Sequence, residues 1–293
     1  MALDAWAAAL IFALLGLLIG SFLNVVVYRL PVMLQRAWRH DSVAFLREQG
    51  IELPDAAAGE TTPFNLVTPR SRCRACGHPV SALENVPVLS YLLLRGRCKA
   101  CKTPIGMRYP LVELATAAAF AFCGHQWGGM SWTAAAWAFF CAVLIALILI
   151  DWDTTLLPDT LTLPLLWAGL MASWVGLIAV PLRQSVLGAA VGYLSLWSVA
   201  MLFKLVTKKE GMGHGDFKLL AALGAWLGAG AVLPIVLASS LLGAVVGLVL
   251  KARQGLREGG YIPYGPFLGG AGLLILVCTP ERVNGWLNRL LGF

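Results

Sequence analysis

Charged side chains are scarce in this chain. Asp, Glu, Lys and Arg make up 13% of its 293 residues, whereas 59% are hydrophobic and the mean hydropathy is +0.77. A soluble domain carries about 25% charged residues. The scarcity excludes an ordinary soluble protein and predicts an all-α, polytopic membrane protein.

Acidic residues are nearly missing from the apolar part of the chain. Between Leu114 and Phe203 there are three of them, Asp151, Asp153 and Asp159. A second acidic position, Asp216, follows Gly213 and Gly215 and comes just before Lys218. Ionisable groups at the edge of a membrane are costly, so each cluster indicates a functional site.

Basic residues are unevenly distributed. The formal net charge is +7, and twelve of the 22 Lys and Arg residues lie between Arg29 and Arg108. This predicts a cytoplasmic loop with affinity for anionic membrane lipids. We expect no nucleic-acid binding, because no helix-turn-helix or β-platform pattern accompanies the charge. No Lys or Arg precedes Arg29, which argues against a cleaved signal peptide and for a periplasmic N-terminus.

Apolar runs predict about eight transmembrane helices. A helix needs roughly 20 residues to cross a bilayer, and the second, sixth and eighth runs are shorter than that. The eight runs cover residues 5–28, 111–122, 131–150, 161–180, 186–206, 219–227, 232–250 and 267–278. Pro31 is expected to stop the first helix. The predicted domains are a first transmembrane helix (1–30), a cytoplasmic domain (31–108) and a transmembrane core (109–293). Whether the sixth run crosses fully is left open, and no internal repeat supports an inverted-repeat transporter.

Four of the seven cysteines form two Cys-x-x-Cys pairs in the polar segment, Cys73 with Cys76 and Cys98 with Cys101. Two pairs at this separation can place four thiolates around one ion, and Zn²⁺ is the usual occupant. Four cysteines leave no open position, so the zinc is expected to be structural. A dithiol redox pair is the alternative, but the segment lacks a βαβ pattern.

The membrane portion lacks a Ser-His-Asp set and a His-Glu-x-x-His motif. Two carboxylates that share one proton and a water can hydrolyse a peptide bond without a covalent nucleophile or a metal. Glycines 213 and 215 permit positive φ and close backbone approach, so an extended substrate could lie beside Asp216. The pattern alone does not rank Asp151, Asp153 and Asp159 as the partner.

Several motifs occur together in one order along nearly the whole chain, and with them the chain resembles the bacterial type IV prepilin peptidases. These are residues 20–24 and 28–31, the two cysteine pairs, and residues 108–113, 151–159, 213–218 and 263–266. The glycine–aspartate element also resembles that of intramembrane aspartyl proteases such as presenilin, but the cysteine domain favours the prepilin family.

The resemblance implies two reactions at the inner membrane. A short basic leader is cut from prepilins and type II secretion pseudopilins, and the new N-terminal residue, usually Phe, is methylated with S-adenosylmethionine. Asp151 and Asp216 match the catalytic pair, with the site facing the cytoplasm. Asp153 and Asp159 would bind substrate or cap a helix, and Lys218 would support the site.

Some questions stay open after the resemblance is drawn. No Rossmann-type glycine motif is present, so the residues that bind S-adenosylmethionine are not identified. The alternatives are a peptidase-only relative, an ion or metal transporter using the acidic clusters, and a zinc-domain scaffold. A homo-oligomer is compatible with the sequence.

Overall fold

The structure is a computed structural model that describes residues 2–51, 54, 62–209, 211–253 and 262–278, with side chains from residue 5 onward. In these ranges the regular structure is helical apart from two isolated β-bridges. The helices are α1 (Ala2–Glu48), α2 (Leu89–Leu93), α3 (Arg108–Gln126), α4 (Trp132–Thr154), α5 (Asp159–Trp174), α6 (Leu182–Thr207), α7 (His214–Leu227), α8 (Ala229–Ala252) and α9 (Gly265–Cys278), with a 3-10 turn at Leu83–Asn85.

Each of the eight apolar runs corresponds to one helix for most of its length, which confirms the all-α membrane fold. In the described part of the chain, four helices are long and apolar enough to cross a membrane: Ala5–Glu48, Trp132–Thr154, Leu182–Thr207 and Ala229–Ala252. Gly265–Cys278 is a shorter apolar helix. The fourth run was predicted to extend to residue 180, but α5 ends at Trp174.

The prediction that Pro31 stops the first helix is wrong. α1 continues through Pro31 to Glu48. A proline removes one backbone hydrogen bond at a cost of about 3 kcal/mol, and long stretches of unbroken helix on both sides outweigh that cost. The predicted domain boundary at residue 31 therefore falls inside one continuous helix. Where the cytoplasmic domain begins stays a prediction.

The chain divides into two compact units, Met1–Gly129 and Met130–Phe293. In the first, α1 packs along α3. Gly16, Gly20 and Gly124 lie at this contact, where an added Cβ would come within 2.7 to 3.0 Å of the facing helix. The polar segment connects these two helices and carries the four paired cysteines.

In the second unit α7 is the central helix. It packs against α5, α6, α8 and α9, and every residue from Asp216 to Leu227 except Lys218 is buried. Gly188 of α6 lies so close to Gly224 of α7 that a Cβ on either would collide with the other's backbone. Surrounded in this way, α7 holds Asp216 in a fixed place within the unit.

α7 is also short. Its 14 residues span about 21 Å at 1.5 Å per residue, less than the roughly 30 Å of a bilayer's hydrocarbon core. It ends at Gly228, whose φ of +83° favours glycine, and α8 begins at the next residue. The burial of α7 thus reflects packing against other helices.

Candidate active site

Asp151 and Asp216 both lie at helix ends in the second unit. Asp151 is in the last turn of α4 and is 4% exposed, and Asp216 is in the first turn of α7 and is 8% exposed. The Oδ1 atom of Asp216 is buried and accepts no hydrogen bond from the described residues. Burying such an oxygen costs free energy that is recovered when a ligand or water donates to it.

The two carboxyl groups are close enough to interact electrostatically. Leu157, from the connection that follows α4, contacts the elements around both carboxyl groups. A Cβ on Gly215 would come within 2.7 Å of the Leu157 Cβ, and one on Gly265 within 3.1 Å of its Cδ1. Leu157 therefore packs against the turn carrying Asp216 and against the start of α9, forming an apolar wall beside the carboxylates.

That an extended substrate lies beside the two glycines stays a prediction, and the structure shows what their backbones contact within the chain. Gly215 allows close approach, because its neighbour Leu157 occupies the space that a side chain would need. Positive φ is not what the site requires: Gly213 has φ of −76°, and neither glycine is among the described residues with positive φ. At Gly213 an added Cβ would lie 3.8 Å from the Asp216 Oδ2, an ordinary contact distance.

Asp159 and Lys218 form an ion pair at the edge of this region. The Lys218 Nζ lies 2.7 Å from both carboxylate oxygens of Asp159. The pair joins the first residue of α5 to α7, two residues beyond Asp216, and Asp159 is about half exposed. Asp153 is exposed. Asp151 is thus the buried member of the first acidic cluster.

Gly265 is a site residue to which the sequence reasoning assigned no role. A Cβ there would come within 2.5 Å of the Asp151 Oδ2. The motif at residues 263–266 was recognised only as part of the family pattern. It was the one feature of the sequence that could have pointed to a role for Gly265. The contact joins residues 114 positions apart in the sequence, so local pattern could not reveal it.

The four paired cysteines converge in the first unit. Their Sγ atoms all lie within 4.8 Å of one another, and those of Cys73 and Cys101 are 3.8 Å apart. A tetrahedral ion with bonds of about 2.3 Å to sulfur needs sulfurs roughly 3.8 Å apart. All four cysteines are free thiols. The cluster fits a tetrahedral metal ion.

The two cysteine pairs have the same backbone conformation. In the first, Cys73 N donates to His78 O and Gly77 N to Cys73 O; in the second, Cys98 N donates to Thr103 O and Lys102 N to Cys98 O. Gly77 and Lys102, the residues just after each pair, have φ of +74° and +59°, so each pair is followed by a tight turn. Two equivalent turns therefore hold four thiols around one centre.

Glu84 connects these turns. It accepts hydrogen bonds from Ser81 N and the His78 ring, 3.0 and 3.2 Å away, and its other carboxylate oxygen lies 3.3 Å from the Lys99 Nζ. The Ser81 amide, then Lys99 and His78, lower the Glu84 pKa to about 2. His78 follows the first pair and Lys99 lies within the second, so one carboxylate links both turns.

Comparison with known proteins identifies the family of this chain. The model of the bacterial peptidase A24 N-terminal domain matches residues 14–127, and that of the type IV leader peptidase family matches residues 137–248. A prepilin leader peptidase/N-methyltransferase of Stutzerimonas stutzeri is 50% identical over 275 residues, covering 94% of this chain and 92% of its own length. The chain belongs to the type IV leader peptidase family.

Two further members of the type IV leader peptidase family are also named prepilin leader peptidase/N-methyltransferase. The Aeromonas hydrophila protein is 48% identical over 282 residues, 95% of this chain and 93% of its own. The Neisseria gonorrhoeae protein is 45% identical over 280 residues, 94% of each. No solved structure matches the chain. The resemblance drawn from the motifs is confirmed, and the two matched regions correspond to the two compact units.

Proposed function

We propose that this protein cleaves the leader from type IV prepilins and related pseudopilins and then methylates the new N-terminal residue. The observation that carries the peptidase half is the buried pair Asp151 and Asp216, at the facing ends of α4 and α7. Asp216 presents a buried oxygen that accepts no hydrogen bond from the described residues. Membership of the family and the relatives' names support both reactions.

The proposed chemistry is hydrolysis by two carboxyl groups and one water. The ionised carboxylate takes a proton from the water, and the protonated one donates a hydrogen bond to the scissile carbonyl oxygen. The water oxygen bonds to the carbonyl carbon, and the C–N bond breaks as the amine leaves with a proton. The apolar wall of Leu157 would limit water around the pair, which strengthens the electrostatic interactions within it.

We propose that the acidic residues outside this pair attract the substrate. The prepilin leader is basic and the protein has a net charge of +7, so the two repel each other unless acidic residues at the site offset the charge. Asp159 is exposed and lies beside the pair, so its carboxylate would attract a cationic leader once Lys218 turns away. Asp153, the penultimate residue of α4, would add a second negative charge at the same end of that helix.

The methyl-transfer half rests on the family and on the relatives' names. S-Adenosylmethionine would supply the methyl group. The described residues contain no glycine-rich nucleotide loop that fits it, so no step of this half is assigned to particular side chains.

For the cysteine cluster we propose a structural Zn²⁺ held by Cys73, Cys76, Cys98 and Cys101, since four thiolates suit that ion. The metal would cross-link the two turns. We further propose a multi-pass protein of the inner membrane, with a periplasmic N-terminus and the aspartate pair at the cytoplasmic face. The reason is that twelve of the 22 Lys and Arg residues lie between Arg29 and Arg108, from the second half of α1 to the start of α3.

The test is cleavage of a prepilin by purified protein. Asp151→Asn and Asp216→Asn should each lower kcat by about 10²- to 10⁴-fold, the usual contribution of a general acid or base. Asp41→Asn, an exposed residue of α1, is the matched control and should cleave like the wild type. Full activity of either site variant would reject the aspartate pair, and loss in Asp153→Asn alone would transfer the role to that residue.

A further inference from the structure

Tyr264 joins α8 to the start of α9 through its hydroxyl group. Its Oη lies 2.7 Å from the Ser239 Oγ and 3.1 Å from the Ser240 Oγ, both on α8. Ser239 is fully buried, and its Oγ also donates to the Val236 carbonyl oxygen at 3.0 Å, which fixes the hydroxyl in place for Tyr264. These bonds therefore hold the Tyr264 side chain at one place on α8.

The backbone of the same residue begins α9. The Tyr264 carbonyl accepts hydrogen bonds from Phe267 N and Leu268 N, at 3.0 and 3.1 Å. The next residue is Gly265, whose backbone lies against the Asp151 carboxylate. Tyr264 thus links α8, through its side chain, to the start of α9, through its backbone, and the first residue of α9 touches the aspartate.

α9 also contacts the two helices that carry the aspartates. A Cβ on Gly269 would come within 2.5 Å of Ile148 on α4, and one on Gly272 within 2.7 Å of Leu223 on α7. α9 therefore packs without free space against both helices. A shift of α9 along its axis would move Gly265 relative to Asp151 and change the separation of the two carboxyl groups.

We propose that Tyr264 is a positioning residue for leader cleavage, acting through the Ser239 and Ser240 hydroxyls on one side and Gly265 on the other to hold Asp151 at its working distance from Asp216. The inference rests on the proposed peptidase function. Tyr264 is bonded to α8, so its predicted effect is on the geometry of the reacting groups and not on substrate affinity.

The experiment compares full-length variants in prepilin cleavage. Tyr264→Phe removes only the hydroxyl, and Ser239→Ala with Ser240→Ala removes both of its partners. Each should lower kcat about 10-fold, with KM unchanged, because displacing catalytic groups by a fraction of an ångström costs this much. Both changes delete the two Tyr264 hydrogen bonds, and Ser239→Ala also removes the Ser239–Val236 bond within α8. The triple variant should therefore be no slower than the double serine variant.

Two controls separate positioning from general damage. Tyr193→Phe makes the same change on α6, where the ring packs edge-on against Phe217, and should keep wild-type kcat. Methylation of an already cleaved pilin by the same preparations reports on folding and should be unchanged in every variant. If Tyr264→Phe is poorly produced, the serine variant provides the same comparison.

Unchanged kcat in Tyr264→Phe, or additive losses in the triple variant, would overturn the proposal. A rise in KM with constant kcat would also overturn it and make Tyr264 a substrate contact. Failure of the proposed function is distinguishable, because the wild-type protein would then not cleave prepilin at all.

Discussion

The carboxyl group of Asp151 lies directly against the backbone of Gly265. These residues are 114 positions apart, and the space that a side chain at 265 would fill is occupied by the Asp151 Oδ2. The start of α9 is therefore part of the structure that fixes the acidic pair, although it contributes no reactive group.

Gly265→Ala should abolish most prepilin cleavage. The added methyl group would come within 2.5 Å of the Asp151 Oδ2, so either the carboxylate or α9 must move. We expect kcat to fall about 100-fold, as for a misplacement of about 1 Å. Gly270→Ala is the control, since nothing lies within 4 Å of an added Cβ there. Equal activity of the two variants would mean that this contact does not position the aspartate.

The Asp159–Lys218 ion pair should matter more for activity than for stability. It is partly exposed, and such pairs contribute about 0.2–1 kcal/mol. Asp159→Asn and Lys218→Met should each lower kcat/KM several-fold with little change in Tm, and the double variant should lose less than the product of the two. Lys209→Met, also an exposed lysine, should have no effect. Losses that simply multiply would show that the two residues act separately.

Removal of one cysteine ligand should remove the metal. Purified wild-type protein is expected to contain one zinc per chain, and Cys73→Ser or Cys101→Ser close to none, since structural zinc requires all four ligands. Cys123→Ser, at a buried position on α3, should keep the metal. Elemental analysis measures this directly. Full zinc content in Cys73→Ser would show that the ion, if bound, lies elsewhere.

Glu84→Gln should weaken metal retention at neutral pH. Glutamine cannot pair with Lys99 or His78 as the carboxylate does. The Glu84 pKa falls from 4.5 to about 2, so its contribution to stability is present above pH 4.5 and is lost as the pH falls towards 2. Competition with a chromogenic chelator at pH 7 measures the effect. Equal rates of zinc loss from the variant and the wild type would contradict it.

The membrane class and the helices followed from the sequence because both depend on local composition. Apolar runs predicted eight segments, and each corresponds to a helix for most of its length. The cysteine spacing predicted a four-ligand cluster, which the Sγ distances confirm. The predicted end of the first helix was wrong, because the local stop signal at Pro31 was outweighed by the unbroken helix on either side of it.

Composition and spacing by themselves determined that this is a helical membrane protein, where its acidic residues lie along the chain, and that its cysteines can hold a metal. Only the tertiary structure decided that Asp151 is buried while Asp153 and Asp159 are exposed, that Asp159 pairs with Lys218, and that Gly265 lies against Asp151. The reason is that burial and contact at a helix end depend on how distant helices pack, and hydrophobic periodicity within one helix carries no information about that packing.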